Sequence, residues 1–234
     1  MRRALSVAIA PAAPYEGGPP WWLTESERAR YERLRPSGRG ALMVSRWLAR
    51  CLLARVAGGR PAQWRLRARD SAPPCVDQGP VPDAPLWHIS ISHRRDWVAV
   101  AVSDLPVGVD VECGPMSPTP VDERAALILT PAERARFDAL GPADREQALL
   151  GAWVLKEAWY KSCHPRLAPY DFRRIEVEPA AGRSANARHW TLADRGLWVG
   201  LSSNDGDALA LTEVVGLAVL GEVTHRSWHV QAAS

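Results

Sequence analysis

A shift of 106 positions lays two separated stretches of this chain over two later ones without gaps. LTESERARYERL, from Leu23 to Leu34, falls on LTPAERARFDAL, from Leu129 to Leu140. At the same offset WLARCLLAR, from Trp47 to Arg55, falls on WVLKEAWYK, from Trp153 to Lys161. One offset shared by two separate helical segments is the mark of a duplicated unit. Looser matches follow with small changes of offset. DWVAVAVSD (Asp96 to Asp104) is similar to LWVGLSSND (Leu197 to Asp205), and VGVDVECG (Val107 to Gly114) to VGLAVLGE (Val215 to Glu222). The expected organisation is two copies, residues 1–112 and 113–234, joined at the Pro- and Gly-rich CGPMSPTP (Cys113 to Pro120).

Within each copy a short capped helix comes first: Thr24 with Glu27, and Thr130 with Pro131 and Glu133, have capping-box spacing. A longer apolar helix follows, then β-type runs such as WHISIS and WVAVAV. The fold class is therefore α+β, with two similar subdomains related by a pseudo-twofold axis and a ligand cleft between them. DSAPPCVDQGPVPDAP (Asp70 to Pro85) reads as a Pro-rich loop. MRRALSVAIAPAAP reads as a first strand, because Pro11 ends an apolar run too weak for a signal peptide.

Composition excludes more than it specifies. A net charge of +3 does not imply nucleic-acid binding. No apolar run approaches the roughly 20 residues needed to span a bilayer. Four scattered cysteines without a CxxC pair fit a reducing compartment, so a cytoplasmic protein is expected. Because one chain supplies both faces of the cleft, a monomer is expected.

Duplication makes the differences between copies informative. In VGVDVE the first copy carries Asp110 and Glu112, where the second has Ala218 and Leu220. On a strand, residues i and i+2 share a face, so the two acids project together while Val107, Val109 and Val111 turn into a core. Paired carboxylates repel unless a cation sits between them, and an oxygen-only set points to magnesium. Two solvated acids at a strand end are the competing reading. The second copy has Glu157 where the first has Cys51, and Lys156 and Lys161 where the first has Arg50 and Arg55. These are the chain's two lysines; every other basic residue is arginine. Trp153, Glu157 and Lys161 share one helix face, so each copy supplies part of an acid cluster of Asp110, Glu112 and Glu157. His93, followed by Arg94 and Arg95, stands where an anion could be met, and Arg39, Arg46 and Arg50 lie on or before the first long helix.

VGVDVE, WVLKEAWYK and the upstream Ser90-Ile91-Ser92-His93 together resemble the motifs of the 4′-phosphopantetheinyl transferases, in particular the two-copy type that serves peptide and polyketide synthetases and siderophore pathways. The resemblance implies transfer of the phosphopantetheine arm of coenzyme A to a serine of an acyl or peptidyl carrier protein, with magnesium and release of 3′,5′-ADP. By motif position Asp110, Glu112 and Glu157 hold the metal. Asp110, Lys156, Lys161 and His93 meet the coenzyme's phosphate region, and Arg39, Arg46 and Arg50 its 3′-phosphate and adenine side. Glu157 and Lys161 serve the chemistry; Glu157 is the favoured acceptor of the serine proton and Glu133 the alternative. HPRLAPYDF (His164 to Phe172) falls at the family's carrier-docking loop. Ser71-Ala72-Pro73 departs from the family's Gly-Lys/Arg-Pro, leaving Arg67 or Arg69 as a substitute. Two rivals stay open at this point: another magnesium phosphoester enzyme such as a nuclease, and a non-catalytic binding module.

Overall fold

The structure is a computed structural model that describes residues 4–69, 72–81, 86–114, 117–163, 171–180, 184–203, 213–215 and 224–233. Along the chain these form β1 (Leu5–Pro11), α1 (Glu25–Glu32), α2 (Pro36–Ala57), β2 (Arg65–Arg67), β3 (Cys75–Gln78), β4 (His88–Arg94), β5 (Trp97–Ser103) and β6 (Val107–Cys113). There follow α3 (Val121–Ile128), α4 (Pro131–Asp138), α5 (Pro142–Cys163), β7 (Ile175–Pro179), β8 (Ala187–Leu192), β9 (Leu197–Ser203), β10 (Glu213–Val215) and β11 (Thr224–Ala232). Both ends of α1 and α4, and both ends of α2 and α5, differ by the same 106 positions found in the sequence. Capping fixes these starts. Thr130 N donates to Glu133 Oε2 at 2.7 Å and Glu133 N to Thr130 Oγ1 at 3.2 Å, while Thr24 N donates to Glu27 Oε2 at 3.0 Å.

The strands make two larger sheets, β10-β1-β5-β4 and β6-β9-β8-β11-β7, and a ribbon of β2 with β3. That ribbon corrects the loop expected over Asp70 to Pro85. Cys75 to Gln78, between Pro73-Pro74 and Gly79-Pro80, is free of proline and pairs with β2. Period-two alternation sorts the apolar residues between layers. Val7 and Ile9 of β1 join Val109, Val111, Val199 and Leu201 in a core shared by the two sheets. Ala8 points the opposite way, beneath α2, with Leu52, Leu53, Val98, Val100 and Val102. A third core lies under α5, holding Phe137, Leu149, Leu155, Val177 and Val230.

β6 runs across the expected boundary at residue 112. It pairs with β9 antiparallel from Val107 opposite Ser203 to Cys113 opposite Leu197, so the acid-bearing strand belongs to the second sheet. Its other side lies along β4 through side chains. Val109 N donates to Ser90 Oγ at 3.0 Å and Ser92 Oγ donates to Asp110 Oδ1 at 2.7 Å. The strand that resembles it in the second copy, Val215 to Glu222, lies beyond Val215 outside the described residues.

α5 crosses β6 and β9 at backbone contact. A Cβ placed on Gly108 would stand 1.8 Å from Ala158 O, and one on Gly200 would stand 2.3 Å from Val154 O. Without a side chain, Gly108 lets the backbone of α5 lie directly on the strand. Substituting Gly108→Val forces α5 off the sheet, and overpacking of this kind in a rigid core is expected to cost about 1–3 kcal/mol or more. Chemical denaturation checks it: the midpoint falls well below that of the parent protein, and an unchanged midpoint contradicts the contact.

Candidate active site

The tight crossing of α5 over β6 sets Asp110 and Glu112 of the strand against Glu157 and Lys161 of the helix. Lys161 Nζ donates to Asp110 Oδ1 at 2.7 Å and stands 3.9 Å from Glu157 Oε2. It also reaches Val109 O at 3.4 Å. Asp110 is 4% exposed; its Oδ1 is shared by Lys161 and Ser92, whereas its Oδ2 is buried without a hydrogen-bond partner. An unmet carboxylate oxygen in a dry setting is costly, and it calls for a cation or a donor. Next to it Glu112 lies 2.9 Å from Arg94 Nε. Burial first, and the Asp110 carboxylate second, still push the Glu112 carboxyl above its usual range, against the pull of Arg94.

That donor set suits a hard cation such as magnesium. Two strand carboxylates, one with an orphaned oxygen and one held reluctant to ionise, are what a divalent ion would relieve. Among the described residues no three His, Cys, Asp or Glu side chains are drawn into a ready-made cluster.

Across the seam from α5, β4 presents His93, which is exposed. Partial desolvation, then the charges of Lys161 and Arg30, lower its imidazole pKa, so it is neutral at physiological pH. Arg30 thus belongs to this positive rim, a neighbour that no motif in the sequence points to. Arg30 aligns with Arg136 in the repeat, and each guanidinium reaches a backbone carbonyl beyond the long helix of its own half, Arg69 O at 3.0 Å and Val177 O at 2.8 Å. Ser92 was also overlooked as an individual residue, although it holds Asp110. Arg39 is partly exposed, with its guanidinium 4.9 Å from the centre of the Tyr31 ring.

Four expected residues lie elsewhere. Lys156 is 0% exposed, and its Nζ donates to Glu133 Oε2 at 2.5 Å, Ile128 O at 2.8 Å and Phe172 O at 3.0 Å. With three acceptors and no access, it has no donor left for a phosphate. Burial lowers its pKa and the Glu133 charge draws it back up. Glu133, the alternative base, is equally committed: Oε1 accepts from Val177 N at 2.7 Å and Oε2 from Thr130 N and Lys156. Arg50 is the first-half counterpart of Lys156, fully buried, with Nη2 donating to Glu27 Oε2 at 2.7 Å. Arg46 is 5% exposed beside the same Glu27, and burial lowers its pKa to about 10, which leaves it charged. The duplication has thus kept one structural device twice, a capping-box glutamate clamped by a cation from the long helix. Such buried pairs are strongly destabilising when one partner is removed. Of the proposed substitutes for the missing loop contact, Arg67 is exposed near Asp77 at 3.8 Å, and Arg69 offers its carbonyl to Arg30.

The raised Glu112 carboxyl gives a pH signature. A group whose folded pKa lies above its unfolded value stabilises the fold at low pH and loses that contribution as pH rises through the folded value. At neutral pH its charge is therefore a cost. In chelator-treated protein, Glu112→Gln is expected to raise the thermal midpoint at neutral pH, and the gain should vanish below about pH 4. A midpoint lowered at neutral pH, or a difference independent of pH, contradicts this reading.

Residues 106–212, which include β6, α5 and the seam's acids and lysine, match the family model described as 4′-phosphopantetheinyl transferase superfamily. A 78-residue stretch is 36% identical to a 4′-phosphopantetheinyl transferase of Bacillus pumilus, covering 33% of this chain and 32% of the relative. A longer stretch of 137 residues is 27% identical to a 4′-phosphopantetheinyl transferase of Bacillus subtilis, covering 58% of each. The chain thus spans about a third and somewhat over half of these two curated relatives. Among solved structures, the holo-[acyl-carrier-protein] synthase of Thermotoga maritima aligns with 42% of this chain and 61% of its own, at 24% identity and a TM-score of 0.33. Over residues 106–212, then, this chain is similar to the 4′-phosphopantetheinyl transferase superfamily.

Proposed function

We infer that this protein transfers the phosphopantetheine arm of coenzyme A to a serine of an acyl or peptidyl carrier protein, in a magnesium-dependent reaction that releases 3′,5′-ADP. The observation that carries the reading is the meeting of Asp110, Glu112, Glu157 and Lys161 at one seam within the family-matched segment. A magnesium ion held by Asp110 and Glu112, with Glu157 beside them, would neutralise the pyrophosphate and the charge that develops on the bridging oxygen.

The chain's own residues supply the rest. Lys161, tied to Asp110, presents a compact ammonium to the phosphate that receives the serine oxygen. Glu157, one helical turn before Lys161, takes the serine proton; Glu133 does not compete for that role, since both its oxygens are occupied. As the serine Oγ bonds to the phosphorus, the bond to the bridging oxygen breaks and 3′,5′-ADP departs with the electron pair. Neutral His93, with Arg30 and Arg39 on the same side as α1, forms the basic wall for the coenzyme's remaining phosphate.

The proposal extends to architecture and setting. The equal offset of α1 and α2 to α4 and α5 supports a pseudo-twofold relation of the halves, with the working cleft between them and one chain sufficient as a monomer. No helix among the described residues is long and apolar enough to cross a membrane, in keeping with the cytoplasmic site proposed for carrier activation in peptide or polyketide synthesis. Of the expected docking stretch, His164 to Tyr170 lie outside the described residues. No feature of the seam favours nucleic acid over a coenzyme pyrophosphate.

The test is to incubate the protein with coenzyme A, magnesium and several purified apo-carrier proteins, then weigh the carriers. The expected result is a mass gain of one phosphopantetheine, reduced at least a hundredfold in rate by Asp110→Asn and by Glu157→Gln, and abolished by chelator. No gain on any carrier, or full activity in Asp110→Asn, contradicts the assignment.

A further inference from the structure

Apart from the seam, the second half contains a cavity of about 550 Å³ between α4 and α5 on one side and β7, β8 and β11 on the other. None of Asp110, Glu112, Glu157 or Lys161 lines it. Its origin lies in the duplication. On the long helix of the first half, Ser45 and Arg46 are buried, and the Arg46 side chain lies against Glu27. At the corresponding places the second half has Gly151 and Ala152, and both line the cavity beside Glu133, the counterpart of Glu27. The second half keeps a cation on the glutamate as Lys156 but has Ala152 where the first half has the second guanidinium, Arg46. Beside Glu133 the cavity is bordered by Gly151 and Ala152, where Glu27 has the Arg46 guanidinium.

The lining defines a chemistry. Phe137, Leu155 and Trp198 supply apolar and aromatic wall. On β11, Thr224, His225, Arg226 and Trp228 line the cavity, and Arg226 lies directly across from His189 of β8. The Trp228 Nε1 is buried without a hydrogen-bond partner. His189 is held by Thr191 at 3.1 Å; burial, then the Arg226 charge, lower its pKa to about 4, so it is neutral at physiological pH. Arg136 adds a second guanidinium on the α4 side. Two acids also line the space, but Glu133 is matched by Lys156 and Asp144 lies exposed at the start of α5. The size is that of a small-molecule pocket, mostly apolar with a few convergent polar groups.

We propose that this cavity binds a small organic carboxylate with an aromatic or branched aliphatic body, its carboxylate toward Arg226 and Trp228 and its body against Phe137, Leu155 and Trp198. The site is independent of the transfer reaction, and its test reads binding alone. The probes are 4-phenylbutyrate and its neutral amide, titrated calorimetrically into the full chain. The expected result is saturable binding of the acid to the parent protein, the amide at least tenfold weaker. Arg226→Gln, an exposed position, weakens the acid at least tenfold, and Ala152→Leu, which fills the space, abolishes it; thermal unfolding verifies that both variants fold. Absence of binding to the parent protein up to the solubility limit overturns the proposal. So does equal affinity for acid and amide, or affinity unchanged in both variants.

Discussion

Everything at the seam depends on how closely α5 can lie on the second sheet. A helix usually stands off a sheet by the length of its side chains; here the backbones meet at Gly108 and Gly200, where a Cβ would overlap Ala158 O and Val154 O. That contact brings a helix-borne ammonium to hydrogen-bond distance of a strand-borne carboxylate without a long, flexible reach. Lys161 and Asp110 are consequently ordered by the fold before any ligand arrives, which is the form of pre-organisation that electrostatic catalysis needs. The uncompensated oxygen of Asp110 and the raised Glu112 carboxyl are the energetic cost of that arrangement, borne by a core that is otherwise apolar and close-packed.

The duplication explains how two lysines came to stand five residues apart and do different work. One position on the long helix faces a capping-box glutamate in both halves: Arg50 in the first, Lys156 in the second, each buried and fully engaged. The position five residues later faces the seam, and there the second half has Lys161 beside a glutamate that the first half lacks. The sequence contrast of WLARCLLAR with WVLKEAWYK therefore mixes two kinds of change. One keeps a buried cation on a capping-box glutamate in a new form; the other sets an ammonium between a strand carboxylate and a helix glutamate.

Much of this was legible from residues alone. The repeat located a short and a long helix in each half, though not the full extent of the long ones, the i, i+2 rule put Asp110 and Glu112 on one face, and the i, i+4 spacing put Glu157 with Lys161. What sequence could not resolve was direction around the helix: Lys156 and Lys161 sit in the same motif, but burial alone separates them. Arg46 and Arg50 misled for the same reason, since an arginine on a helix is more often exposed than clamped on a buried glutamate. That β6 pairs within the second sheet was not legible, because strand pairing between distant segments leaves no mark in composition. Arg30 was missed because its approach to His93 runs between elements distant in sequence, α1 and β4.

The central claim is that the lysines divide structure from chemistry, and one comparison tests it: carrier modification rates at saturating coenzyme A for Lys156→Arg and Lys161→Arg, corrected for folded fraction. Because arginine already performs the Lys156 task in the first half, Lys156→Arg is expected to turn over within a few-fold of the parent, while Lys161→Arg, with a guanidinium fork in place of a compact ammonium, falls by at least a hundredfold. A folded Lys156→Arg that has lost turnover, or a Lys161→Arg that keeps it, contradicts the account.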